Sequence, residues 1–252
     1  MRVEHLYRYP VKGLTAEAMG EVALAAGEAI PGDRVFALVH GDAPFDDAAP
    51  RWLHKRHFGC LMANPRLAAV HASWDDRRGV LLVRLPGQPP FAGDTTTAAG
   101  RAAIGAHLAA ALGDEARGTP RFVHAPGHRF SDHPDPLVSL INLASLAALE
   151  RALARALDPL RFRANLYFSG APAWAEMGWI GRLVEAGSAS LRIVKTIERC
   201  AATAVNPLTA ERDCDPPAAL RAAFGHTDLG VYARVERSGR VAVGDPLVLR
   251  KD

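Results

Sequence analysis

Cysteine is scarce: the 252-residue chain has three, Cys60, Cys200 and Cys214. They are odd in number, lie far apart and form neither a CxxC pair nor a zinc-like quartet, which argues against a structural zinc site and an iron–sulfur cluster. A thiol that does chemistry here works alone, as nucleophile, sulfur carrier or single metal ligand. Long apolar runs are also missing. The longest low-charge stretch, Ala102 to Gly113, falls well short of the roughly 20 residues a bilayer crossing needs. Met1-Arg2-Val3-Glu4-His5 puts charge where a signal peptide has its apolar core, so neither a membrane span nor export is expected and a cytoplasmic location follows. The formal net charge is only +3, and the bases sit in short clusters such as His54-Lys55-Arg56-His57, which leaves nucleic acid without a binding stripe. No GxSxG elbow, P-loop or strand-following GxGxxG is present, so hydrolase, NTPase and dinucleotide-binding readings have no foothold.

What is present is a chain of 49% hydrophobic and 23% charged residues, long enough for one large or two small units. β-rich runs alternate with turn signals at Val3–Tyr9, Gly20–Ala25 and Arg34–His40, and return at Leu67–Trp74 and Val80–Leu85. Residues 41–64 read as a long functional loop. A helix is expected over Ala98–Leu112, with Thr97 among its cap candidates and Gly113 as its stop. A second is expected over Asn142–Leu157, with leucines at three- and four-residue spacing on a buried face. Pro120–Pro136 reads as a strand and a long loop. Short strands then resume at Leu160–Phe168, Leu183–Val184, Ser190–Val194, Gly230–Glu236 and Val241–Leu249. The pattern predicts a β-dominated α+β fold: a smaller β-rich N-terminal domain over 1–118, then a β-barrel with peripheral helices over 119–252.

The most informative segment is Glu198-Arg199-Cys200-Ala201-Ala202-Thr203-Ala204-Val205-Asn206-Pro207, where a thiol follows an arginine at the end of an expected strand. A nearby guanidinium favours the thiolate, the reactive and metal-binding form, while a buried inert cysteine is the plain alternative. The segment resembles the signature of MOSC domains, in which Arg-Cys is followed by Thr and a Val-Asp-Pro-like turn. Similar matches are Leu229-Gly230-Val231-Tyr232, Gly239 to Leu249, Phe162-Arg163-Ala164-Asn165 and the stretch holding Trp174, Glu176 and Trp179. Tyr9-Pro10-Val11-Lys12-Gly13-Leu14 and Gly32-Asp33-Arg34-Val35-Phe36 resemble the β-barrel that commonly precedes the domain.

The resemblance implies a molybdenum-pterin cofactor with Cys200 as catalytic residue and metal ligand, a soft donor beside the dithiolene sulfurs. Lys12, Arg34, Arg163 and Arg199 become candidates for the pterin phosphate. Asn142, with Ser145 one turn on, is a candidate at a helix N-terminus, and Asn165 and Thr203 could reach the pterin or satisfy buried backbone. Three departures stand out: Ala164 replaces a proline, Asn206 an aspartate, and Glu198 precedes Arg199, where it could pair with the arginine or relay protons. The implied activity is reduction of small N-hydroxylated compounds, with electrons from a separate ferredoxin- or flavoprotein-type donor. The alternatives are a sulfur carrier bearing a Cys200 persulfide and a bare scaffold. His54, His57, Trp52 and Phe58, and the histidines of 124–133, read as loop residues at the site's mouth, and Cys60 and Cys214 as bystanders.

Overall fold

The computed structural model describes residues 1–250. In chain order it comprises β1 (Arg2–Arg8), β2 (Glu17–Met19), β3 (Glu21–Leu24), β4 (Phe36–Val39), β5 (His71–Asp75), β6 (Val80–Arg84), β7 (Phe91–Asp94), α1 (Ala98–Leu112), β8 (Arg121–His124) and β9 (Val138–Asn142). Then follow α2 (Leu143–Leu153), β10 (Leu166–Ser169), β11 (Leu183–Ala186), β12 (Ala189–Glu198), α3 (Pro216–Phe224), β13 (Asp228–Arg237), β14 (Gly239–Ala242) and β15 (Leu247–Leu249).

Eight strands form one sheet in the order β15-β11-β12-β13-β9-β10-β1-β2. Its far edge is stitched back to β1: Leu247 N donates to Met1 O, and Val3 exchanges bonds with Asp245 O and Gly244 N, at 2.8–2.9 Å. Joining the ends curls the sheet toward a barrel and satisfies backbone groups that an open edge would expose. Alternate residues point inward, so Leu191 and Ile193 of β12 and Val231, Ala233 and Val235 of β13 fill the interior with Val3, Leu140 and Phe168, all essentially buried. A second core joins β6, α1 and β8 through Leu81, Val83, Ile104, Leu108 and Phe122. The α+β, β-dominated, barrel-like expectation holds. Strands from the first 40 residues are shared widely: β1 and β2 lie in the large sheet, β3 pairs with β14, and β4 with β8.

Both expected helices are present. Thr97 caps α1 by accepting from Gly100 N, and Gly113 ends it with positive φ. The α2 leucine face is buried at Leu146 and Leu149, but the helix stops at Leu153, four residues early, because Ala154 turns left-handed. Other expectations need correction. Pro65 makes residues 65–69 a 3-10 turn, so the strand expected from Leu67 starts at His71. Asp158 and Pro159 cap a similar turn over 159–162, delaying the strand expected from Leu160 to Leu166. Among the described residues no helix is long and apolar enough to cross a membrane.

Candidate functional site

β12 delivers Glu198 and then Arg199 to the mouth of the sheet. Arg199 is buried, and its guanidinium donates to Phe162 O (Nη1, 2.9 Å) and to Leu229 O through Nε (2.8 Å) and Nη2. It therefore brackets the end of β12, the start of β13 and the turn at 159–162. Gly230 makes the bracket possible: its φ is +82°, and a Cβ there would stand 2.4 Å from Leu140 O and 3.3 Å from Arg199 Nη2. Cys200 precedes a 3-10 turn closed by Thr203, whose N and Oγ1 both donate to Cys200 O at 3.0 and 2.9 Å. Asp213 then anchors the following loop, accepting from Arg161 Nη2 (2.8 Å), Asn206 Nδ2 (2.9 Å) and Arg155 Nη2 (3.0 Å). Burial pushes its carboxyl up, but Asn206 and Arg161 outweigh that and hold it down at about 2.

Cys200 opens onto a cleft of about 290 Å³. Arg34 and Arg163, which line it, both lie over the buried Tyr9 ring, 4.6 Å and 4.4 Å from its centroid. Arg34 pairs with Asp33 and donates to Arg163 O at 2.8 Å, and Arg163 donates to Leu14 O at 2.5 Å. Both arginines adopt left-handed backbone (φ 51°), which is costly for a non-glycine residue and so marks where the fold has fixed these side chains against local preference. Burial brings Arg163 down to about 10, and its Nη2 is buried without a hydrogen-bond partner. Lys12, buried, bonds Phe130 O (2.9 Å) and Asp132. Burial alone would raise Asp132, but Lys12, Lys55 and Arg34 hold it well below the usual carboxylate range.

Lys55, from the 41–64 loop, completes the ring. Its ammonium lies 3.9 Å from Asp132 and close enough to the Cys200 thiol to be influenced by it. Burial opposes its charge, yet Asp132 and Cys200 win and its pKa is raised, so it stays an ammonium. Cations around a thiol, one with a spare N–H, suit an anionic ligand whose metal accepts sulfur.

Cys200, Lys12, Arg34, Arg163, Asn165, Arg199 and Thr203 thus all border one cleft. Several are also spent on the fold: Arg199 and Thr203 as above, and Asn165, which accepts from Ser139 N and Oγ and donates to Tyr7 O. Asn142 does not come to the cleft. It is fully buried, caps α2 through Ala144 N and, with Ser145, donates to the buried Glu176 carboxylate. The expectation of a helix-terminal contact is corrected accordingly. Glu198 is not paired with Arg199 but accepts from Thr227 Oγ1 at 3.4 Å. Lys55, Asp132 and Tyr232 also line the cleft and were missed, as was Cys60, buried with its thiol pushed up by desolvation. Only the position of residues 41–64 and 124–136 in long polar loops could have pointed to Lys55 and Asp132.

A β-dominated barrel with a thiol at the end of an Arg-bracketed strand defines the class. Residues 1–118 match the MOSC N-terminal beta barrel domain and residues 127–248 the MOSC domain. The chain belongs to the MOSC-domain family. Among known proteins it is similar to mitochondrial amidoxime-reducing component 1 of Homo sapiens, 32% identical over 124 residues, covering 44% of this chain and 36% of the relative. Mitochondrial amidoxime reducing component 2 of Rattus norvegicus is 31% identical over the same length, with 44% and 36% covered. The match spans about a third of the length of these relatives. The crystal structure of the YuaD protein from Bacillus subtilis aligns at 17% identity and TM-score 0.48, covering 98% of this chain and 93% of that one.

Proposed function

We propose that this chain binds a molybdenum-pterin cofactor in the Cys200 cleft and reduces N-hydroxylated small molecules with electrons from a separate donor protein. The observation that carries the reading is convergence: residues from Lys12, Arg34, Arg163 and Cys200, far apart in sequence, border one cleft with a buried N–H of Arg163 unpartnered. Similarity to proteins named amidoxime-reducing components points the same way. Cys200 Sγ would hold the metal, and Lys12, Arg34 and Arg163 the phosphate. When bound, the cofactor supplies the two-electron couple; overall, an amidoxime takes up two electrons and two protons and yields an amidine and water.

This chain's own residues set the stage for that step. Arg199 and Thr203 fix the Cys200 backbone, so the sulfur enters at one place and angle. Asp132 holds Lys12 and Lys55, and Lys55 keeps positive charge against the thiol. Tyr232, also in the cleft lining and with its hydroxyl pKa raised by burial, keeps its proton. The test is reduction of an aryl amidoxime by protein made in a host that synthesises the cofactor, with chemically reduced viologen as donor. Amidine formation by the wild type and its loss in Cys200→Ser supports the reading. Cyanide-labile sulfur on Cys200 with no amidine would replace it with sulfur transfer.

A further inference from the structure

The lysines and arginines that line the Cys200 cleft are, with one exception, already engaged. Lys12 and Lys55 share Asp132, Arg34 holds Asp33, Arg161 holds Asp213, and Arg129, Arg163 and Arg199 donate to backbone carbonyls. Lys195 is exposed in the lining, and among the described residues no group pairs with its ammonium. The backbone is shaped to put it there. Ile193 pairs with Ala233 on the interior face, but the next pair along is Lys195 with Tyr232, so Val194 is the extra residue of a β-bulge in β12. Strict alternation would have sent Lys195 to the same face as Ile193. The bulge instead sets Lys195 beside Tyr232, and both line the cleft. His133 lines it too, its ring centroid 5.8 Å from that of Tyr232. An unspent, solvent-reachable ammonium next to two rings suits a flat ligand that carries an anionic group.

We propose that Lys195 is a specificity-determining residue of the Cys200 cleft, favouring aryl ligands that carry a carboxylate on the side of the ring away from the reacting nitrogen. Its bearing on substrates rests on the reading of this cleft as the site of reduction. The carboxylates of the lining oppose such a ligand only weakly. Asp33 is held by Arg34, Asp132 is shared by two lysines, and Asp135 lies 3.6 Å from Arg234. Glu198 is the unpaired one: it is exposed, accepts from Thr227 Oγ1 and stands opposite Asp228 across the strands. It lies three residues nearer Cys200 than Lys195 does. At a strand's rise that is roughly 10 Å, beyond the screening length of about 8 Å at physiological salt. Glu198 therefore acts on direction, turning the carboxylate away from the thiol end and toward Lys195, with the N-hydroxyl group left facing Cys200.

The probe is 4-carbamoylbenzoate, a carboxamide with no N–OH group to reduce, compared with benzamide, which lacks the carboxylate, by calorimetric titration of the full chain from a cofactor-making host. The acid is expected to bind about fivefold more tightly than benzamide, the most that one exposed ion pair supplies. Lys195→Gln should remove that preference without changing the affinity for benzamide, and Lys195→Arg should keep it. Glu198→Gln should leave the preference intact or enlarge it. In 1 M sodium chloride, where the screening length falls to about 3 Å, the preference should vanish. The same ratio should appear in KM, with kcat unchanged, for 4-carboxybenzamidoxime against benzamidoxime. Equal binding of acid and benzamide by the wild type, a preference that survives Lys195→Gln, or no saturable binding of the acid up to about 10 mM would overturn the proposal. Lys195-dependent binding of the acid by a protein that reduces neither amidoxime would uphold the selection and strike the reduction reading alone.

Discussion

The two walls of the Cys200 cleft differ in how their charged residues are employed. On the strand-end wall, Arg199 and Arg161 are engaged by backbone carbonyls and by Asp213. On the loop wall, Lys55 and Lys12 meet at Asp132, and Lys55 lies near the sulfur. The first wall builds the position of Cys200, and the second surrounds it with charge. The residue adjacent to the Cys200 thiol in sequence is thus occupied mostly with architecture, while the cation nearest in character to a partner for the sulfur comes from a loop some 145 positions away.

The contrast can be broken at four places. Arg199→Met should cost the most, about 3 kcal/mol in denaturant unfolding, because it strands two buried carbonyls that a charged donor now satisfies. Asp213→Asn should cost about 1–2 kcal/mol at neutral pH. Its folded pKa is depressed to about 2, so its contribution is fully present above the unfolded value of about 3.9 and is lost as pH falls toward 2. The variant's stability should therefore change less than the wild type's across that window. Asn206→Asp, which restores the residue the motif usually carries, should lose about 1 kcal/mol here, because it sets a second carboxylate against Asp213 in place of a donor. Lys55→Met should shift stability by under about 1 kcal/mol, since Lys12 still pairs with Asp132, yet slow alkylation of Cys200 severalfold, read by peptide mass spectrometry. Equal stability losses for Lys55→Met and Arg199→Met would erase the distinction between the walls.

That distinction also explains what was readable in the chain. Features imposed by backbone geometry leave patterns: Thr97 and Gly113 bound α1, and Gly230 sits where a side chain would strike Leu140 O. The seven residues that border the cleft were named through the resemblance to MOSC motifs, not through local spacing or periodicity. Lys55 and Asp132 lie in loops whose positions follow from tertiary contacts, such as Lys12 to Phe130 O, that no local periodicity encodes. α3 was overlooked although Asp215, Pro216 and Gly225 supply a cap, a first-turn proline and a left-handed stop. Nine residues with a short apolar stripe gave too little period to see. β9 is buried at all five positions and runs straight into α2, so its apolar run merged with the helical one. Asn142 was misplaced for the same reason: a helix cap and an anion contact use the same residue types, and only the buried Glu176 carboxylate decides between them.

The most direct test of the account is molybdenum and pterin content per chain, for the wild type and Cys200→Ser, after production in a host that makes the cofactor. Near-stoichiometric metal and pterin in the wild type, with molybdenum lost or its coordination altered in the variant, is the predicted result. A well-folded wild type that carries neither would contradict it.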